Sequence, residues 1–414
     1  MSMPKEPSAG SGGKAEVMRA SAPAGTERIG EIGKGTVYFD NAATSFPKPE
    51  PVHRTMGAFL RTHGANPGRG SYRMVSEAES VISAARRALA SFFNAPNPTR
   101  VIFALNTTDA LNMALHGALR EGDHVLTTTI EHNSIARPLN RLERDGFVTV
   151  TRLRPDGAGV VDPDAFASAF TPRTRLIAML HASNAMGALQ PVAEVGRMVR
   201  ERGALFLVDA AQTAGMWPID IRAMNIDLLA IPGHKALLGP AGTGALILGA
   251  GVGLNPWREG GTGGDSAYPI QPEEYPHHLE AGTLNTPGIA AMAEGLRWVK
   301  DRGIDVIRQH ELSLIRRLME SIADLKGMKF HGPGVKDSRS SVVSFTIAGH
   351  EPDEIAGILD ASFGIAVRAG LHCAPGAHRE MGTFPAGTLR VSPGPFNTEA
   401  EIDALAAALI QIAG

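Results

Sequence analysis

Short apolar runs alternate with helical patterns along the first two-thirds of the chain. The runs are VIFAL (101–105), HVLTT (124–128), FVTVTRL (147–153), RLIAML (175–180), ALFLV (204–208), IDLLAI (226–231) and GALIL (244–248). Runs of this length are typical of strands buried on both faces, as in a sheet covered by helices. Strands that alternate with helices indicate βαβ units with right-handed crossovers. The pattern predicts an α/β fold with a mostly parallel central sheet.

The pattern changes after Pro287. Two long helices are predicted at 289–301 and 304–325. They are followed by short strands and helices, the last of which starts at Thr398. We therefore predict a large domain over residues 36–289, including a short N-terminal segment, and a smaller α+β domain over 290–414. Residues 1–35 are rich in Gly, Ser, Ala, Pro, Lys and Glu without apolar periodicity, which predicts a disordered tail.

Composition excludes several classes of function. The formal net charge is −2, and no basic run carries interleaved aromatic residues, so a nucleic-acid partner is not expected. No apolar run approaches the roughly 18 residues that span a membrane, and the N-terminus has no signal-peptide core. The single cysteine, Cys373, excludes an intrachain disulfide and favours a reducing compartment. We expect a soluble, cytoplasmic protein without a metal site.

Two ionisable residues follow neighbouring predicted strands. Asp209 comes directly after ALFLV, and Lys235 ends the turn Pro232-Gly233-His234-Lys235 after IDLLAI. The carboxyl ends of parallel strands are where such sheets build their sites. A lysine amine and a buried acid suit pyridoxal 5′-phosphate (PLP), whose aldehyde condenses with an amine and whose ring nitrogen needs an acid to stay protonated. Either residue alone is more often a cap or a surface group.

The motifs VDAAQTAG (208–215) and GHKALLGPAGTG (233–244) resemble those of the class V aminotransferase group of fold-type I PLP enzymes. RAGLHCAP (368–375) is similar to the cysteine desulfurase and selenocysteine lyase branch. The resemblance runs from about Tyr38 to the C-terminus. It implies PLP as the cofactor, Lys235 as its attachment site and as the base at the substrate's α-carbon, and a homodimer.

The remaining cofactor contacts combine residue chemistry with this resemblance. Thr107 and Thr108 open a helix after VIFAL, and a helix N-terminus holds a phosphate well; the family places the PLP phosphate there. The resemblance further implies that His132 stacks on the ring and moves protons, and that His234 donates to the phosphate. It also directs Asn184 and Gln212 to the phenolic oxygen, and Thr283 to the phosphate of the neighbouring subunit.

Substrate contacts are predicted on the later strands. Arg390, in TLRVS, offers a fork of donors to an amino acid carboxylate, and the family's carboxylate-binding arginine matches it. We assign Arg368 and Asn41 to the substrate pocket, and Arg69 as a further residue that shapes it.

Cys373 lies in a turn bounded by glycine and proline, AGLHCAPG (369–376). Arg368 and His372 are expected to favour its thiolate, which is the nucleophilic form. The leading interpretation is a cysteine desulfurase that converts L-cysteine to L-alanine and leaves sulfur on Cys373 as a persulfide, with selenocysteine lyase activity as a further option and a sulfur-acceptor protein as a partner.

Two alternatives stay open. One is a class V aminotransferase or a C–S β-lyase in which Cys373 is not catalytic. The other is a non-catalytic protein that binds sulfur acceptors.

Overall fold

A computed structural model of the chain describes residues 35–68, 70–263, 267 and 269–414. The predicted tail lies outside the described residues except for Gly35, and Arg69 also lies outside them. No helix in these described ranges is long and apolar enough to cross a membrane.

The first part of the described chain alternates strands and helices. In order, its elements are β1 (Val37–Tyr38), α1 (Glu50–Thr62), α2 (Arg73–Phe92), β2 (Val101–Ala104), α3 (Thr107–Ala118), β3 (Asp123–Thr128), α4 (Asn133–Arg144), β4 (Val148–Leu153), α5 (Pro163–Ala169), β5 (Thr174–Leu180), α6 (Val192–Arg202), β6 (Leu205–Asp209), β7 (Leu228–Pro232) and β8 (Gly244–Leu248).

The later elements are α7 (Thr286–Arg302), α8 (Ile304–Ile322), β9 (Met328–His331), β10 (Val343–Ile347), α9 (Pro352–Phe363), β11 (Ile365–Ala366), β12 (Arg368–Gly370), α10 (Pro375–Met381), β13 (Thr388–Val391) and α11 (Glu399–Ala413). The helix α7 runs across the boundary predicted near residue 290. The division into two domains stays a prediction.

Seven strands form the central sheet in the order β2-β8-β7-β6-β5-β3-β4. The strand β8 is antiparallel to both of its neighbours, and the other adjacent pairs are parallel. The predicted mostly parallel α/β sheet is therefore confirmed. Asp209 pairs with Ala230 across β6 and β7, so the two strands that precede the acid and the lysine are direct neighbours.

Both faces of this sheet are buried, because alternate residues of its strands enter different cores. In β5, Ile177 and Met179 pack with side chains of α2, α6 and α7, whereas Leu176 and Ala178 pack with those of α3 and α4. This arrangement explains the unbroken apolar runs, since neither face of a strand can be polar. It also leaves the strand ends as the places where polar side chains meet.

A four-stranded sheet of order β12-β13-β10-β9 forms a second layer with α8, α9 and α11. Thr398 caps α11 in a reciprocal pair with Glu401, which fixes the start of that helix where it was predicted. The N-terminal segment joins this part of the molecule, since β1 pairs with β11 and Phe39 packs in its core.

Candidate active site

Loops from one edge of the central sheet surround a cavity of about 320 Å³. The loops follow the carboxyl ends of β2, β3, β5, β6 and β7, and β12, β13 and the loop after β12 close the opposite side. Predicted site residues that line the cavity are Thr107, Thr108, His132, Asn184, Asp209, Gln212, His234, Lys235, Arg368, Cys373 and Arg390. The structure thus brings together residues that lie far apart in sequence.

Lys235 lies on a turn that the N-terminal segment holds in place. The carbonyl oxygen of Lys235 accepts a hydrogen bond from Ser45 Oγ at 2.9 Å. The carbonyl of His234 accepts from Ser45 N at 3.0 Å and from Lys48 Nζ at 2.7 Å. Burial lowers the pKa of Lys235 to about 8, and the positive charge of Arg390 acts in the same direction. A lysine with a lowered pKa can give up its proton and act as a nucleophile or base near neutral pH.

Two buried carboxyl groups belong to this part of the molecule, Asp209 in the cavity wall and Glu131 outside the lining. Asp209 is 4% exposed and accepts a hydrogen bond from Ala211 N at 2.9 Å. Burial raises its pKa, while the nearby Lys235 opposes that rise. Glu131 accepts from Thr128 Oγ1 at 2.6 Å, and burial raises its pKa to about 8. A buried acid at the end of β6 is suited to bind a protonated ring nitrogen.

The ring of His132 is neutral at pH 7, because burial, together with the charge of Lys235, lowers its pKa to about 4. Its Nδ1 accepts from Ser134 N at 3.1 Å, so the ring proton belongs on Nε2. Ser134 Oγ is 2.7 Å from Thr108 Oγ1. A neutral ring is suited to stack on a planar ligand. It carries one proton, on Nε2, and it does not take up a second one near neutral pH.

Polar atoms without partners mark the start of α3 and the lysine turn. Thr107 Oγ1 and His234 Nδ1 are buried, and each lacks a hydrogen-bond partner among the described residues. Burial also lowers the pKa of His234 to about 4. Because unpartnered buried polar atoms are costly, these two atoms indicate a site that binds a polar ligand. The positive end of α3 favours an anion there.

Arg390 is almost fully buried, at 1% exposure. Its Nη2 donates to Asp40 Oδ1 at 2.5 Å and its Nη1 donates to the carbonyl of Asn184 at 3.0 Å, while Nε has no partner among the described residues. A second guanidinium lies near the thiol, since Arg368 Nη2 is 3.9 Å from Cys373 Sγ. The two arginines make this side of the cavity suited to bind a carboxylate.

Cys373 is exposed and lies on a short loop, residues 371–374, between β12 and α10. His372 and Cys373 both have positive φ angles, 48° and 58°, which residues other than glycine rarely adopt. Asn133 N donates to the carbonyl of Cys373 at 2.9 Å, and Asn184 Nδ2 donates to that of His372 at 2.6 Å. The loop is therefore tied to the loops that follow β3 and β5.

A sequence profile described as Aminotransferase class-V matches residues 37–405. The chain belongs to the class V aminotransferase family. A probable cysteine desulfurase of Methanothermobacter thermautotrophicus is 37% identical over 386 residues, which cover 91% of this chain and 95% of the relative. A probable cysteine desulfurase of Pyrococcus abyssi is 34% identical, with 89% and 92% covered.

Solved structures of cysteine desulfurases have the same fold as this chain. A cysteine desulfurase from Thermococcus onnurineus superposes with a TM-score of 0.86 at 31% identity, covering 92% of this chain and 95% of that one. A cysteine desulfurase from Escherichia coli gives a TM-score of 0.83 at 29% identity, with 91% and 94% covered. The predicted resemblance to this family and fold class is confirmed.

Two predicted site residues do not line the cavity of this family member. Asn41 donates to the carbonyl of Ser392 at 3.0 Å and accepts from Phe46 N at 3.1 Å, so its polar atoms hold loops. It lines an adjoining cavity with Gln212 and Lys235, and its predicted substrate contact stays a prediction. Thr283 is exposed, and Asn66 Nδ2 approaches its Oγ1 at 3.4 Å. Its predicted contact with a neighbouring subunit stays a prediction.

The expectation that His372 favours the Cys373 thiolate is wrong. Burial lowers the pKa of His372 to about 2, so the ring carries no positive charge at neutral pH. Its Nε2 lies 3.1 Å from Thr388 Oγ1 and 3.2 Å from the Thr388 carbonyl. The residue anchors the loop to β13, which leaves Arg368 as the nearby positive charge.

Sequence reasoning missed three residues that hold the site. Asp40 pairs with Arg390, Ser134 orients His132, and Lys48 binds the lysine turn. The signal for Asp40 was its place two residues after the short strand β1, and Ser134 occupies the first turn of α4. No group of three His, Cys, Asp or Glu among the described residues is arranged to hold a metal ion.

Proposed function

We propose that this protein is a PLP-dependent cysteine desulfurase that converts L-cysteine to L-alanine and retains the sulfur on Cys373. The observation that carries the proposal is that Lys235, Arg390 and Cys373 line one cavity. A base, a carboxylate-binding group and a nucleophilic thiol are the three groups that this reaction requires. The relatives named as cysteine desulfurases support the same reaction.

The residues fit the cofactor. Thr107 and His234 present buried unpartnered atoms that suit a phosphate, and Asp209 supplies the buried acid for a ring nitrogen. Lys235 supplies the amine, and the neutral His132 supplies a ring to stack on. When bound at these residues, PLP would act as the electron sink for chemistry at the substrate's α-carbon.

Asn184 and Gln212 are proposed to contact the phenolic oxygen of the cofactor. Both line the cavity. Asn184 Nδ2 already donates to a backbone carbonyl, and Gln212 Nε2 donates to the carbonyl of Ala42 at 3.1 Å. Each amide nitrogen has a second N–H left for the cofactor.

The protein's own groups have distinct tasks in the reaction. Arg390 binds the substrate carboxylate, Arg368 contributes positive charge beside the thiol, and Lys235 moves the proton at the α-carbon. Cys373 Sγ attacks the substrate sulfur, so that a sulfur–sulfur bond forms while the substrate's carbon–sulfur bond breaks and its carbon gains a proton. The sum is Cys373–SH plus L-cysteine giving Cys373–S–SH plus L-alanine, which balances without an external oxidant.

The partners follow from the same proposal. Thr283, exposed and outside this cavity, would complete the phosphate site of a neighbouring subunit in a homodimer. The exposed position of Cys373 suits transfer of sulfur to an acceptor, for which a sulfur-acceptor protein is proposed. The lone cysteine suits a reducing compartment, and we propose the cytoplasm.

Purified holoenzyme given L-cysteine should form alanine, and Cys373 should gain the mass of one sulfur atom. Alanine is measured by chromatography and the persulfide by intact mass after alkylation. Free sulfide formed without any persulfide on Cys373 would indicate the β-lyase alternative. A keto acid formed in place of alanine would indicate the aminotransferase.

Replacing Arg390 by alanine is expected to raise the KM for cysteine by on the order of 30-fold or more, because truncation of a buried charged partner typically costs about 2–5 kcal/mol. Arg390→Lys, which keeps the charge but not the fork, should give an intermediate KM. Bound cofactor and melting temperature show whether each variant is folded. Exposed Arg154, paired with Glu380, provides the control Arg154→Ala. An unchanged KM in folded Arg390→Ala would exclude the assigned role.

A further inference from the structure

A second cavity, of about 460 Å³, adjoins the first at Cys373. The two cavities share Thr108, His132, Ser134 and Cys373 as lining residues. We call the second one the outer groove. The thiol therefore belongs to the wall between a cavity that holds the substrate-binding groups and a groove on the protein surface.

The outer groove carries positive charge. Arg137 and Arg141 lie one turn apart on α4, so they occupy the same face of the helix, and both are exposed. The described lining residues include no aspartate or glutamate. Burial is the main cause of the low pKa of His132 and of His116, and the charges of Arg137 and Arg141 respectively act in the same direction.

These arginines have little competition from carboxylates in the described part of the chain. Arg137 forms no ion pair there, and Arg141 Nε reaches Asp145 only at 3.9 Å. Asp145 instead pairs with Arg144 at 3.0 Å. The groove therefore has free positive charge beside a reactive thiol, and nothing in the proposed desulfuration uses it.

We propose that the outer groove admits a small sulfur acceptor in addition to the proposed acceptor protein, and that it selects a low-molecular-weight thiol that carries a carboxylate. The inference rests on the proposed function, since it concerns the fate of the persulfide. A groove of this volume is in the range that encloses small molecules. Arg137 and Arg141 attract the carboxylate and also favour the thiolate form of the acceptor, which is the nucleophile.

The transfer is an exchange between sulfur atoms. The acceptor thiolate attacks the outer sulfur of Cys373–S–SH, a new sulfur–sulfur bond forms, and the bond to Cys373 Sγ breaks. The sum is R–SH plus Cys373–S–SH giving R–S–SH plus Cys373–SH. Oxidation states balance, and no further reductant is required. Asn133, a groove residue, holds the Cys373 carbonyl and so keeps the sulfur at the shared wall.

The test uses holoenzyme that has been loaded with sulfur from L-cysteine and then freed of substrate. The loss of persulfide is timed with 3-mercaptopropionate, 2-mercaptoethanol and cysteamine, which are similar in size but carry a negative, neutral or positive group. The double variant Arg137→Gln/Arg141→Gln is compared with wild type, so that the intrinsic reactivity of each thiol cancels in the ratio. Arg120→Gln, at an exposed arginine outside the groove lining, is the matched control, because it leaves the pairing of Asp145 unchanged.

We expect the double variant to react roughly three- to tenfold more slowly with 3-mercaptopropionate, the size of effect that one or two exposed charges produce. The rate with 2-mercaptoethanol should be unchanged, the rate with cysteamine unchanged or raised, and Arg120→Gln should behave as wild type. Added salt should reduce the preference of the wild-type enzyme for 3-mercaptopropionate over the other two thiols. If the ratio of the variant's rate to the wild-type rate is the same for all three thiols, the groove inference is overturned, while the proposed desulfurase function stands. If Cys373 takes up no sulfur at all, both the proposed function and the groove inference fail.

Discussion

Lys235→Ala should lower alanine formation from L-cysteine by about 10³-fold or more, since general base catalysis alone contributes about 10²- to 10⁴-fold. The variant also loses the amine that would attach the cofactor. Its burial and lowered pKa make Lys235 the described lysine best suited to both tasks within the cavity. Activity is measured as alanine per subunit, and cofactor as absorbance after gel filtration.

Borohydride reduction makes this expectation specific to one residue. In wild-type protein it should fix the pyridoxyl group on the peptide that contains Lys235, and in Lys235→Ala the label should disappear. Lys326, an exposed lysine far along the chain from the cavity-lining residues, gives the control Lys326→Ala, which should keep both label and activity. A pyridoxyl group found on any other lysine of the wild-type protein would refute the assignment.

Cys373→Ser should keep the cofactor and bind L-cysteine but lose alanine formation by on the order of 10³-fold, which corresponds to about 4 kcal/mol in the barrier. A serine hydroxyl is isosteric with the thiol, but it is not ionised at neutral pH and does not attack sulfur well. Because the side chain is exposed, the exchange leaves the buried core unchanged, and the melting temperature checks the fold directly. The cofactor spectrum on addition of cysteine reports substrate binding independently of turnover.

The same variant separates the proposed reaction from its alternatives. If Cys373→Ser forms alanine at the wild-type rate, the thiol is structural and the lyase interpretation replaces the desulfurase. Selenocysteine provides a second substrate, because its selenium leaves more readily and can be released without the thiol. Turnover of selenocysteine but not cysteine by Cys373→Ser would confirm that the cofactor site is intact and that the thiol is needed for sulfur.

The sheet and much of the site were predictable because they rest on local patterns. Strands such as β6 and β7 are buried on both faces, so they are apolar up to their carboxyl ends, where Asp209 closes β6 and the turn after Pro232 leads to Lys235. Asp209 and Lys235 could be placed at one edge from this pattern alone. The helices α5 and α10 were missed, because each has only seven residues and too few turns to show an apolar period.

Contacts between distant parts of the chain were not predictable in this way. Asp40 and Arg390 are separated by 350 positions, and nothing near either residue signals the ion pair. The failure at His372 has a similar cause. Its position next to Cys373 suggested a charged neighbour, but burial, and then the charge of Arg390, lowers the pKa of His372 and keeps the ring neutral. Its Nε2 lies 3.1 Å from Thr388 Oγ1 on β13, a contact that the sequence near Cys373 does not reveal.

The hydrogen bonds that tie residues 371–374 to Asn133 and Asn184 set a limit on how the sulfur can travel. A persulfide extends the side chain by one bond of about 2 Å, and a tethered loop of this length has no swinging arm to carry it further. The sulfur can then leave the persulfide-loaded enzyme only after an acceptor reaches Cys373. With one equivalent of L-cysteine, each subunit is expected to release one alanine and keep the persulfide. With excess L-cysteine, further alanine should form only as fast as a thiol, L-cysteine included, discharges the persulfide, so that delivery of the acceptor, and not bond breaking, sets the steady rate.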